Sequence, residues 1–160
     1  NFGIADELTV TAPGINGKMS EINAAFGLVQ LKHIDNAMKQ RAEIDTRYRI
    51  ALENVQGISI YKHNANANSN FSYFPILVEN DYPLSRDELY EKLKEDNILS
   101  RRYFYPLISN MPMYRGLLSS SVDKLPNANE ISDKVLCLPI YADMDLDTVD
   151  FIVKKITEVF

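Results

Sequence analysis

The chain has 160 residues, 46% of them hydrophobic, and a formal net charge of −5. That length and apolar content suit one folded domain with a proper core and exclude wholesale disorder. The acidic balance argues against a general nucleic-acid binder or a binder of anionic membranes, while leaving room for a local basic site for a phosphorylated ligand. The single cysteine, Cys137, excludes an internal disulfide, and its apolar setting Val135-Leu-Cys-Leu-Pro139 reads as an inert buried thiol. No run approaches the length of a membrane span and none reads as a signal peptide, so a cytoplasmic protein is expected. The chain opens on Asn1 in mid-pattern and is expected to be the back part of a longer protein.

Leu8 to Thr11, closed by Pro13, suggests an extended arm or edge strand. Gly14 and Gly17 then mark a turn in which positive φ is expected. Ser20 reads as a helix N-cap with Glu21 in the first turn, and Ile22, Ala25, Phe26 and Val29 recur at helical spacing to about Leu31. Ala24, Ala25 and Gly27 are small enough for another backbone to come close. The turn Asn16 to Lys18 therefore sits at a helix N-terminus, where an anion can be met. The Asn16 amide could donate to a phosphate oxygen and Lys18 could add a point charge, although a plain capped helix with its entry turn explains the same residues.

A second helical pattern runs from about Ile34 to Val55, with Ile34, Ala37, Met38, Ile44, Tyr48, Ala51 and Leu52 apolar. Lys39, Arg41, Glu43, Asp45, Arg47 and Arg49 form its solvated face. Gly57 ends the element, Ile58 to Tyr61 is a short strand, and residues 63–70 are an Asn-rich loop. Phe71 to Val78 is a strand that Pro75 assigns to an edge or a bulge. Ser85-Arg-Asp-Glu88 is a capping box that opens a helix with Leu89, Leu93 and Tyr90 facing inward, ending near Asp96-Asn97. Ile98 to Tyr105 returns as a strand. Met111 to Tyr114 is a turn, Ser119 to Ser121 a loop, and Leu125-Pro126 opens a helix with Ala128, Ile131 and Val135 inward. After the short apolar segment Leu138 to Tyr141, a last helix from about Asp147 to Phe160 buries Val149, Ile152, Val153, Ile156 and Phe160. The order predicts an α+β fold: long leading helices, residues 1–55, then a small mostly antiparallel sheet with helices on one face, residues 56–160.

Few groups could carry chemistry. His33 and His63 have no cysteine near them, so no metal site is expected. No glycine-flanked nucleophile and no glycine-rich phosphate loop is present. The acidic residues between Asp143 and Asp150 read as a helix cap rather than a cation site. The stretch Arg101-Arg-Tyr-Phe-Tyr-Pro-Leu107 stands out. On a strand Arg101, Tyr103 and Tyr105 would share one side, with Arg102 and Phe104 on the other. An Arg with two tyrosines suits a diphosphate and a hydroxyl-rich sugar, and equally describes a half-exposed edge strand with ordinary aromatic packing.

The run Gly14-Ile-Asn-Gly-Lys-Met-Ser-Glu-Ile-Asn-Ala-Ala-Phe-Gly-Leu-Val-Gln-Leu31 resembles the segment that opens the C-terminal part of the DegT/DnrJ/StrS aminotransferases. The resemblance implies a fold-type I enzyme that uses pyridoxal phosphate to aminate a keto-sugar nucleotide, with an amino acid such as glutamate as donor. It implies a homodimer in which Asn16 contacts the cofactor phosphate of the other subunit and Lys18 faces the same site. The family strand of the form R-x-Y-F-x-P-L makes Arg101, Tyr103 and Tyr105 substrate contacts, and its combination with Met111-Pro-Met-Tyr114 is most similar to the branch acting on dTDP-linked keto-deoxyhexoses. A His often found just beyond that strand is replaced by Ile108-Ser-Asn110, which puts the sugar contacts in question. In the family the lysine that forms the Schiff base lies in the large N-terminal domain, and no lysine here has its setting. The chain then has no catalytic residue of its own and alone is expected to be inactive. Two other functions fit the same residues: a non-catalytic α+β interaction domain that uses the helix Ser20 to Leu31, and a dehydratase-like member of the family.

Overall fold

A computed structural model describes all residues except 1, 2, 4, 7, 16 and 63–66. It divides into two compact units, Asn1–Asn36 and Ala37–Phe160.

In the first unit, Ser20 caps helix α1 (Glu21–Leu31) with its hydroxyl accepting from Asn23 N at 3.3 Å. None of α1's residues is buried, and Ile22 and Phe26 are 82% and 64% exposed. Its apolar spacing, which reads as tight packing, is thus open to solvent. Before it, Thr11 donates through N (2.8 Å) and Oγ1 (3.1 Å) to Gly3 O, and Val10 forms a lone bridge in place of the expected longer strand. Gly17 does not adopt the positive φ expected of it.

The second unit is built on four antiparallel strands in the order β1 (Ile58–Ile60), β2 (Phe74–Val78), β4 (Val135–Leu138), β3 (Arg101–Arg102). Partners opposite one another in an antiparallel pair point to the same side. Phe74 opposite Leu138 and Ile76 opposite Leu136 therefore define one face, and Pro75 opposite Cys137 and Leu77 opposite Val135 the other. The first face is the core. It meets Ile44, Tyr48 and Leu52 of α2 (Ile34–Leu52), Leu89 and Leu93 of α3 (Arg86–Glu95), and Val149, Ile152 and Ile156 of α5 (Leu146–Thr157). Each large side chain buried there contributes about 1.5–3 kcal/mol. Tyr48 stacks on Phe74 with centroids 4.8 Å apart and donates its hydroxyl to Pro139 O. The α+β architecture with helices on one face is as the sequence predicts.

The ends of the elements follow local chemistry. The capping box at Ser85 is present in both directions, and Asn97, in the left-handed region at φ 60°, follows the C-cap of α3. Asp145 caps α5 by accepting from Thr148 N at 2.6 Å. Gly57, at φ 72°, turns the chain into β1, as expected, although α2 itself stops at Leu52. Short 3-10 turns at Ile108–Asn110, Leu118–Ser120 and Val122–Lys124 occupy part of the stretch read as turn and loop.

Several expectations are corrected. Pro75 lies on an interior strand rather than an edge. It is accommodated because β1 ends at Ile60, opposite Ile76, so β2 has a neighbour on only one flank at Pro75. The first strand ends at Ile60 and the second starts at Phe74, so both are shorter than read. Asp45 belongs to the buried side of α2, 3% exposed and paired with Arg49 Nε at 2.6 Å, rather than to its solvated face. Ile131 of α4 (Pro126–Lys134) is exposed while Ser132 is buried, and Val135 is already in β4. Phe160 lies past the end of α5 and is exposed, with its ring edge-on to Tyr82.

Candidate functional site

The strand expected from Ile98 to Tyr105 contains only Arg101 and Arg102. Arg102 lies opposite Leu136, on the helix-covered face, and Arg101 lies opposite Cys137, on the other. The two arginines are therefore parted as strand alternation demands. Arg102 is fully engaged: Nε donates to Asp87 Oδ1 at 2.6 Å, Nη2 lies 3.8 Å from Glu91 Oε1, and the guanidinium sits 3.8 Å from the centre of the Tyr90 ring. Arg101 is exposed and makes no ion pair among the described residues. Burial pushes the Cys137 thiol up to about 11, with the Arg101 charge opposing, so this thiol is a packed neutral group.

Beyond Arg102 the strand gives way to a turn at Tyr103-Phe104, with Phe104 in the left-handed region at φ 50°. Strand alternation does not reach Tyr103 and Tyr105, and the single row of Arg101, Tyr103 and Tyr105 is not formed as a strand face. The two tyrosines are placed by other contacts. Tyr103 packs against Phe104 (centroids 4.5 Å apart) and edge-on to Tyr73 (5.2 Å). Tyr105 lies against the Arg86 guanidinium, 4.8 Å from its ring centre, and a cis peptide joins it to Pro106. The result is a short aromatic ledge with Tyr73, Phe104 and Tyr105 at least partly exposed, beginning two residues along the chain from Arg101. Such a ledge can stack planar or sugar rings and offer two phenol hydroxyls.

Arg86, Asp87, Tyr90 and Tyr73 are residues that sequence reasoning missed as parts of this region. The available signal is the capping box, which marks the start of α3 without showing what its second and third residues hold. Arg86 is 3% exposed and donates through Nη1 to Ser132 O (3.0 Å) and Val135 O (3.3 Å). Its Nε lies 2.9 Å from Asp87 Oδ1. Burial works to raise the Asp87 carboxyl, but the Arg102 hydrogen bond and the charges of Arg86 and Arg102 outweigh it and hold it below the usual range. Lys18 is exposed in the first unit, and Asn16 lies outside the described residues.

A pyridoxal phosphate site needs an amine that can be held neutral and enclosed. No lysine of the chain is buried among the described residues. Hydrogen bonds donated to Glu130 and Glu79 raise Lys134, and one donated to Asp96 raises Lys155, the opposite of what such an amine requires. The residues present do not by themselves fit the cofactor. Among the described residues no group of three or more His, Cys, Asp or Glu could hold a metal ion, and no helix is long and apolar enough to cross a membrane.

The sequence profile of the DegT/DnrJ/EryC1/StrS aminotransferase family matches residues 1–157. The chain belongs to this family. Within it, the chain is 66% identical over 158 residues to a dTDP-4-amino-4,6-dideoxy-D-glucose transaminase of Escherichia coli, covering 99% of this chain and 42% of that protein. A Shigella dysenteriae protein of the same name is 50% identical over 159 residues, with 99% and 43% covered. The chain thus spans about two fifths of the length of these curated DegT/DnrJ/EryC1/StrS relatives. Among solved structures, DesI in the presence of its TDP-sugar product is 25% identical with a TM-score of 0.83, over 98% of this chain and 40% of that one. Helicobacter pylori PseC, an aminotransferase of pseudoaminic acid biosynthesis, shares the fold at 24% identity and a TM-score of 0.80, over 97% of this chain and 42% of that one.

Proposed function

We propose that this chain is the C-terminal part of a sugar aminotransferase that moves an amino group, from glutamate, to a dTDP-linked keto-deoxysugar for surface polysaccharide or amino-sugar biosynthesis. The observation that carries the reading is the 66% identity, over nearly the whole chain, to the E. coli dTDP-4-amino-4,6-dideoxy-D-glucose transaminase. The whole enzyme is a cytoplasmic homodimer with shared active sites. Pyridoxal phosphate supplies the electron sink for amino transfer. It is bound mainly by the part that the relatives have beyond this chain, which also supplies the lysine. The present chain alone is inactive.

Within that enzyme, residues 1–55 form the interface arm and linking helices and residues 56–160 the small domain. Asn16 contacts the cofactor phosphate of the partner subunit, and Lys18 adds positive charge facing the same site. Arg101, the arginine left unpaired while Arg102 is held by Asp87, binds the diphosphate of the nucleotide. Tyr103 and Tyr105 present their rings and hydroxyls to the sugar. These groups bind and orient the substrate. None of them carries the proton or the amino group.

The test is the protein produced from the whole natural reading frame, loaded with pyridoxal phosphate and freed of excess. A retained cofactor absorbance band that glutamate bleaches, that a dTDP-keto-sugar restores, and that weakens in Asn16→Ala is the expected result. A band indifferent to every amino donor points to the dehydratase-like branch. A full-length protein that retains no cofactor overturns the enzyme reading and leaves an interaction domain.

A further inference from the structure

The stretch from Arg102 to Tyr105 is fastened at both ends to the same place, the first turn of α3. At its start, Arg102 donates to Asp87 Oδ1. At its end, the Tyr105 ring rests on the guanidinium of Arg86. Between the two anchors lie Tyr103 and Phe104, whose turn has no strand partner to hold it. Arg86 is itself immobilised. It is buried, its Nη1 bridges the carbonyls of Ser132 and Val135, and its Nε lies 2.9 Å from Asp87 Oδ1, close enough for charge attraction but without hydrogen-bond geometry. A buried guanidinium held by two carbonyls is a fixed platform, because breaking the Nη1 bonds would leave buried polar groups without these partners, whereas Nε faces Asp87 as an ion contact and makes no hydrogen bond. Tyr105 remains half exposed, so its outward side is free for a ligand.

We propose that Arg86 is a positioning residue for the sugar-nucleotide wall: it holds the Tyr105 ring and so sets where the Tyr103–Tyr105 turn presents itself to substrate. This rests on the functional reading above. Asp87 shares the task by tying Arg86 and Arg102 together through one oxygen. The arrangement selects arginine over lysine. Only a planar guanidinium can donate in its plane to two carbonyls while offering its face to an aromatic ring.

The test uses the full-length enzyme with a dTDP-keto-sugar. Arg86→Gln is expected to raise KM for the sugar nucleotide about ten-fold with kcat changed less than about two-fold, the signature of lost substrate binding rather than lost chemistry. Tyr105→Leu is expected to do the same, and Arg86→Gln should add nothing further in the Tyr105→Leu background, since the two act as one unit. Arg86→Lys should recover only part of the loss. A fall in Tm with KM unchanged, or effects of the two substitutions that multiply, overturns the proposal. Should Arg86→Gln not fold, Arg86→Lys and Tyr105→Leu carry the same cycle.

A second readout is independent of turnover. With 3-fluorotyrosine incorporated, the fluorine resonance of Tyr105, assigned by its loss in Tyr105→Phe, is expected to shift in Arg86→Lys. A resonance that stays in place sinks the positioning role even if the enzyme is active. A wild-type enzyme that accepts no keto-sugar nucleotide counts against the functional reading, and Arg86's hold on Tyr105 is then judged by the resonance alone.

Discussion

Arg102 and Asp87 join the edge strand β3 to the first turn of α3 through a 2.6 Å hydrogen bond from Nε to Oδ1. The contact is partly open to water, with side-chain exposures of 28% and 58%. Screening therefore keeps its worth small, about 0.5 kcal/mol. Asp87 has its pKa lowered in the folded chain, so its contribution is present above the unfolded value and is lost as pH falls through the folded one. Asp87→Asn is expected to be slightly less stable than wild type at pH 7, with the gap starting to close near the unfolded value of about 4 and vanishing only below the lowered folded pKa. Urea midpoints measured at pH 7 and at a pH below the folded pKa of Asp87 check this. An equal gap at both would show that the ion pair is not the source.

Gly57 is needed twice over. Its φ is +72°, and a Cβ placed there would lie 2.3 Å from Tyr82 N. Backbone atoms cannot swing aside as a side-chain tip can. Gly57→Ala is expected to cost more than about 2 kcal/mol, the left-handed penalty plus the clash, and to disturb the hydrogen bond from Glu79 N to Gly57 O. Equilibrium unfolding with hydrogen exchange at Glu79 reads both effects.

Tyr82 donates its hydroxyl to Ile156 O at 2.6 Å in the core, linking the turn after β2 to α5. Tyr82→Phe leaves that carbonyl without this donor and is expected to cost about 1–2 kcal/mol. Burial also pushes the Tyr82 phenol up to about 12. A folded pKa above the unfolded value of about 10 means stability is complete below pH 10 and declines from there toward pH 12. The loss should be shallower in Tyr82→Phe. It should not vanish, because burial raises Tyr48 as well. An alkaline series of unfolding curves for the two proteins settles the slope.

Arg101 is expected to matter for substrate and not for the fold. It is exposed and unpaired among the described residues. In the full-length enzyme, Arg101→Gln should raise KM for a dTDP-sugar about ten- to a hundred-fold, the worth of one charged hydrogen bond to a diphosphate, and leave Tm within about a degree. The same substitution at Arg102 should lower Tm and affect KM less. Calorimetric titration with dTDP and a thermal scan of both variants separate the two arginines. The reverse pattern would exchange their roles.

Elements with local signals were legible. Ser20 and Ser85 announce α1 and α3 because an N-cap is set by neighbours three residues away. The opposed faces of Arg101 and Arg102 follow from strand alternation alone. The length of β3 was not legible. Ile98 to Tyr105 has strand composition throughout, yet a partner was available only at Leu136 and Cys137. The platform beneath Tyr105 was equally hidden, since Arg86 lies 19 positions away and is brought there by the packing of α3 beside β4.

By itself, the sequence determined the α+β class, the helix starts, and the resemblance of Gly14 to Leu31 to the family, all of which depend on residues close together in the chain. Tertiary structure decided that Pro75 sits on an interior strand, that Asp45 is buried, and that Arg102 is bound while Arg101 makes no ion pair among the described residues. These depend on which strand lies beside which and where a neighbour stops. Such pairing is settled by the closing of the whole core and not by the preference of any single segment.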